Sequence, residues 1–200
     1  MPEKIDLVRV YKDYYKGTKK PQVLSFGQVP YLTIKGQGEP AGIEFSDKIS
    51  LIYPMAYGVK KICKLEGNDF AVPKLEALWW VEGSKEPRKT PKSQWRWKLM
   101  IRMPDFVTAK IVETARQEVF KKKKIDLKDL KFETLNEGKC VQVMHLGPYS
   151  KEHETIDLME EFIQKNSLKP NGFHHEIYLS DPNKTSPEKM KTILRQPVKP

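Results

Sequence analysis

Apolar and polar positions alternate over residues 22–26 and 31–35, and Gly27-Gln28-Val29-Pro30 between them reads as a turn. A hairpin is therefore predicted, ended by the Gly36-Gln37-Gly38-Glu39-Pro40 run. Phe45, Ile49, Ile52, Tyr53, Ala56, Val59 and Ile62 then recur at helical spacing, with Pro54 removing one backbone bond and bending the helix. Residues 74–81 and 94–102 read as an antiparallel pair of strands, the second with polar Arg96, Lys98 and Arg102 in alternation. Val107, Ile111, Val112, Ala115, Val119 and Phe120 form the apolar face of a further helix, which closes on Lys121 to Lys124.

A similar order follows. Residues 131–135 and 139–145 read as strands around the turn Asn136-Glu137-Gly138, and an amphipathic helix carries Ile156, Met159, Phe162 and Ile163. After Asn171-Gly172 come two more strand patterns, 173–180 and 191–198. Each half thus reads β-β-α-β-β, with approximate bounds 22–124 and 130–199 inside one domain of residues 1–200. The predicted fold class is α+β, a duplication with antiparallel sheets and helices on one face.

Charge changes the picture only in part. A net charge of +10 raises a nucleic-acid or anionic partner, but Lys121 to Lys124 read as a solvated helix end, and no helix-turn-helix, zinc-finger or RNA-binding signature accompanies them. Any nucleic-acid contact is expected to be unspecific. The sequence has no membrane-length apolar run and no signal peptide at its start, so a cytoplasmic location is expected. Cys63 and Cys140 read as buried free thiols.

Several motifs fail as chemistry. Gly36, Gly38 and Gly42 have the wrong spacing for a dinucleotide loop and read as a strand-to-helix turn. His174 and His175 are adjacent on a strand, point to opposite faces and cannot chelate one ion, so no metal and no cofactor is predicted. Asn183-Lys184-Thr185 reads as a turn into a helix capped by Thr185, with Glu188 closing a capping box.

The informative pattern is a strand carboxylate among aromatic rings. Alternation places His174, Glu176, Tyr178 and Ser180 on one face and His175, Ile177 and Leu179 on the other, with the latter set expected beneath the helices. Glu76, Leu78 and Trp80 share a face of their own strand, and the two glutamates are expected to meet at a shared surface. Trp79, Trp80, Trp95 and Trp97 lie on two strands, and Tyr53 and Tyr57 stand one helical turn apart. Such a wall suits a flat, apolar or cationic small molecule. The competing reading leaves the rings in the core and pairs Glu76 or Glu176 with Arg96, Arg102 or Arg195 across a sheet.

Sequence motifs add a resemblance. The runs HLGPY (145–149), HHEIYLSDP (174–182), KTILRQPV (191–198), RMPDFVT (102–108) and DLVRVYKDYY (6–15) resemble the GyrI-like small-molecule-binding family over nearly the whole chain. The resemblance implies a duplicated β-α-β-β module of the SHS2 type with a central ligand groove. It also implies a role for Glu176, which matches the strand glutamate that contacts cationic drugs in multidrug-responsive regulators of the family. Only about twenty residues precede the first long strand, so a one-component regulator with its own DNA-binding domain is not expected.

Some stand-alone members that the chain resembles hydrolyse the cyclopropane ring of DNA-alkylating natural products. The resulting expectation is a monomeric binder of flat hydrophobic or cationic xenobiotics that extends to hydrolysis of strained electrophiles such as cyclopropanoid genotoxins. Glu176 is the candidate base and Tyr178 the candidate oxyanion donor, with Tyr53, Tyr57, Glu76, Trp80, Trp97 and Tyr149 as ligand contacts. Two other classes stand beside it, a non-catalytic sequestering or sensing protein and a basic interaction module for nucleic acid or protein.

Overall fold

The computed structural model describes residues 4–40, 42–83 and 87–200. Its strands are β1 (Ile5–Asp6), β2 (Gln22–Gln37), β3 (Phe70–Ala71), β4 (Leu75–Trp80), β5 (Arg96–Arg102), β6 (Lys131–Leu146), β7 (Lys169–Pro170), β8 (His174–Tyr178) and β9 (Lys191–Lys199). Its helices are α1 (Leu7–Val10), α2 (Lys12–Tyr15), α3 (Ile43–Leu65), α4 (Ala109–Lys123) and α5 (Glu152–Lys165). The fold is mixed α+β. Among the described residues no helix is long and apolar enough to cross a membrane.

Both predicted opening hairpins are single strands. Gly27 takes no left-handed turn conformation, and β2 runs unbroken through Pro30, whose carbonyl accepts the Met103 amide. In β6, Gly138 does adopt a left-handed φ of 62°, yet the strand continues through it. After β2 and α3 therefore come the two-residue β3 and then β4 and β5, and after β6 and α5 the two-residue β7 and then β8 and β9, rather than β-β-α-β-β. The helix expected after Thr185 is only a short 3-10 turn at Pro187–Lys189, preceded by Ser186 with no side-chain cap.

The chain divides into two compact units. The first comprises Met1–Val10, Val29–Pro73 and Trp79–Leu135. Here β2 pairs antiparallel with β5, from Tyr31 opposite Arg102 to Gln37 opposite Arg96. Gly36 faces Trp97 in this register, and a methyl group on Gly36 would overlap the indole. The missing side chain is what lets Trp97 lie flat across the strand. Phe45 of α3 stacks on Trp79 at 5.7 Å and meets Trp97 edge-on at 5.1 Å. Helices α3 and α4 approach at Gly58, where an added Cβ would stand 2.7 Å from Val119. The lysine run ends α4 as expected, with Lys124 as the left-handed cap residue.

The second unit comprises Tyr11–Gln28, Lys74–Leu78 and Asn136–Pro200. Its centre is β9, paired antiparallel with β6 on one side and β8 on the other. Val141 and Val143 of β6 and Leu194 and Val198 of β9 form a core with Met159 and Ile163 of α5. Because α5 covers this face, the opposite face carries the alternate residues Gln142, Arg195 and His175, aligned across the three strands. Both cysteines are buried and unpaired, and burial pushes their thiols up to about 11 for Cys63 and about 12 for Cys140.

Candidate functional site

Strand register decides which way the predicted residues point. Glu176 lies opposite Leu194 and Tyr178 opposite Thr192, so both share the face that α5 covers. The expectation was the reverse, with His175, Ile177 and Leu179 beneath the helices. The pattern misled because this strand carries polar residues on both faces.

On the α5 face the Tyr178 hydroxyl donates to Glu176 Oε2 at 2.8 Å, so the phenol orients the carboxylate rather than standing free for an oxyanion. The other carboxylate oxygen, Oε1, has no hydrogen bond among the described residues; His174 Nε2 stands 3.6 Å from it. Tyr149, in the 3-10 turn that leads into α5, meets the Tyr178 ring edge-on at 5.9 Å. Burial, with the nearby charges of Glu152, Glu176 and Asp181, pushes the Tyr149 phenol up to about 12. His145 closes the region beneath the start of α5. Its Nε2 stands 3.2 Å from the Pro148 carbonyl, to which it donates, and its Nδ1 stands 2.8 Å from the Thr155 hydroxyl. Three predicted residues, Glu176, Tyr178 and Tyr149, thus form one cluster.

The opposite face holds a buried chain of charge that sequence reasoning missed. His175 is fully buried, with Nε2 2.9 Å from Glu76 Oε2 and Nδ1 2.9 Å from Glu137 Oε1. Only the imidazolium can donate at both positions. Burial alone would lower its pKa, but the charge and hydrogen bonds of Glu137 and Glu76 outweigh it and raise the value to about 9. For Glu137, burial pushes up, yet His175 and Arg195 bring the carboxyl down to about 2. Arg195 donates to Glu137 Oε2 at 2.8 Å, to Gln142 Oε1 at 2.8 Å and to the Tyr14 carbonyl at 3.0 Å. Its guanidinium lies between the Tyr14 ring at 4.2 Å and the Phe26 ring at 3.9 Å. Glu76 also accepts from Tyr14 at 2.5 Å and Tyr15 at 3.3 Å.

This arrangement corrects two expectations. Glu76 is completely buried and bonds to His175 on the face away from Glu176, so the two glutamates share no surface. Its partners are two tyrosines and a histidine, and the arginine of that network pairs with Glu137 instead. The signal that could have found it was Arg195, a lone cation inside an apolar strand pattern, together with Gln142 in another.

The remaining predicted contacts lie in the first unit. Trp97 has no exposed surface and packs on Phe45 and Gly36, so it is core and offers no face to a ligand. Tyr53 and Tyr57 sit on α3, Tyr57 well exposed, and Trp80 ends β4 half-buried. A hollow of about 210 Å³ at the start of α3, lined by Gln37, Gly38, Glu44, Phe45 and Ser93, includes none of the predicted contacts.

The family is shown by comparison. Residues 64–199 match the GyrI-like small molecule binding domain. The chain belongs to that family. Among solved structures it resembles an uncharacterized conserved protein from Listeria innocua, at 39% identity and a TM-score of 0.92, covering 98% of this chain and 100% of that one. It is also similar to a hydrolase encoded by lin2189 from Listeria innocua, at 38% identity and a TM-score of 0.88 with the same coverage. The EcmrR C-terminal domain shares the fold at 14% identity and a TM-score of 0.58, over 90% of this chain and 97% of that one. No curated protein matches.

Proposed function

We propose that this GyrI-like protein is a cofactor-independent hydrolase for flat, hydrophobic, strained electrophiles, with Glu176 as the general base. The observation that carries the reading is the asymmetry of the Glu176 carboxylate, one oxygen fixed by Tyr178 and the other without a hydrogen bond. A base needs such an oxygen within reach of water, and a fixed carboxylate loses little freedom when it takes the proton. The likeness to chains described as hydrolases, at 37% and 38% identity, supports the same class.

For a cyclopropane conjugated to a carbonyl, Glu176 takes a proton from water as the water oxygen bonds to a ring carbon. The ring C–C bond breaks, and its electron pair moves onto the conjugated carbonyl oxygen, which is protonated from solvent. Tyr149 and Tyr178 supply ring surface beside the carboxylate.

Glu176→Gln tests this directly because it keeps shape and removes basicity. Hydrolysis of a cyclopropane-bearing alkylator, followed by mass spectrometry, should fall about 10²–10⁴-fold while affinity for its neutral ring-opened product changes little. Loss of affinity for cationic aromatics alone, with no turnover by the parent protein, would favour sequestration. Undiminished turnover in the variant would remove Glu176 from the reading.

A further inference from the structure

Resting on that reading, we propose that His174 is a positioning residue whose Nε2, together with Glu176 Oε1, holds the water that Glu176 activates. His174 and Glu176 are two residues apart on β8 and project from the same face. The two atoms are 3.6 Å apart, too far for a direct hydrogen bond. His174 Nε2 is buried yet has no hydrogen-bond partner among the described residues, and Glu176 Oε1 has none either. A buried nitrogen left in this condition costs free energy unless something bonds to it.

A single water satisfies both atoms. Sited at ordinary hydrogen-bond distance from each, it forms the apex of a triangle over the 3.6 Å base. Nothing larger is needed, because the imidazole is mostly enclosed, with its side chain 19% exposed. Tyr178 fixes the geometry from the other end, since its bond to Oε2 turns Oε1 towards the imidazole. In this arrangement the imidazole orients the water, and the carboxylate receives the proton as the water oxygen attacks.

His174→Phe keeps a flat ring and deletes the nitrogen. Crystal structures of the parent protein and the variant should show an ordered water bonded to Nε2 and Oε1 in the first and none at that position in the second. The kcat for the cyclopropane probe should fall at least about tenfold, with KM and melting temperature near those of the parent. Free imidazole should restore part of the rate in His174→Ala, an effect that a purely structural role would not produce. Absence of the water from the parent, or an undiminished kcat in His174→Phe, overturns the proposal. A water present in a parent protein that never turns over the probe removes the hydrolase reading and leaves the water site standing.

Discussion

The two faces of the β6–β9–β8 sheet place charge under opposite rules. On the face away from α5, buried Glu76, His175 and Arg195 and the partly buried Glu137 form a chain, each bonded to the next. On the α5 face, Glu176 is bonded on one side only. Satisfied charge is stable and chemically idle, since its charged atoms are already bonded to one another. Partly satisfied charge costs stability and is free to act. The contrast teaches that the more heavily charged face is built as a scaffold, and the function proposed above assigns the chemistry to the sparser one.

The largest test of that contrast removes the guanidinium. Arg195→Met should cost roughly 3–5 kcal/mol, because it strips Glu137 of one cation and leaves Gln142 Oε1 and the Tyr14 carbonyl without their donor. Urea denaturation would measure it, and a loss under about 1 kcal/mol would mean that the chain of charge is not structural.

Acidity gives a smaller effect of defined sign. His175 keeps its proton to about pH 9 in the folded protein against an ordinary value of 6.5. Its contribution is complete below pH 6.5 and is lost as pH rises through 9, a decline on the order of 3 kcal/mol. Glu137 acts in the other direction, contributing above its ordinary 4.5 and losing that contribution as pH falls towards 2. Stability should therefore be highest between about pH 4.5 and 6.5, as denaturation across pH would show. Replacing His175 by Gln should abolish the decline between about pH 6.5 and 9; persistence of that decline would assign it to another group.

Tyr178→Phe should give the smallest change in stability, within about 1 kcal/mol, because it deletes one partly buried hydrogen bond. Its turnover should nevertheless fall, since Glu176 loses the bond that aims it. A stability loss as large as that of Arg195→Met would erase the distinction between the faces.

Much of this was legible in the sequence, and the failures have physical causes. Helices α3, α4 and α5 followed from apolar spacing, and Pro54 did not interrupt α3. The hairpins failed because Gly27 and Pro30 also fit within one long strand. The proximity of Glu176 and Tyr178 was legible because residues two apart on a strand share a face, and Tyr149 joins them through its ring contact with Tyr178. Glu137, Gln142 and Arg195 were hidden, since no local pattern couples residues so far apart in the chain. Trp97 was misassigned because strand alternation cannot tell a core from a wall.

The bond from Arg195 to the Tyr14 carbonyl spans 181 positions of the chain. The strand that supplies Arg195 follows the other described strands in the sequence and pairs with both β6 and β8. During translation the second unit therefore has no centre strand until Lys191–Lys199 has emerged, and its charged residues remain hydrated until then. Closure of this unit therefore waits on β9, which is made long after Tyr14 and Tyr15.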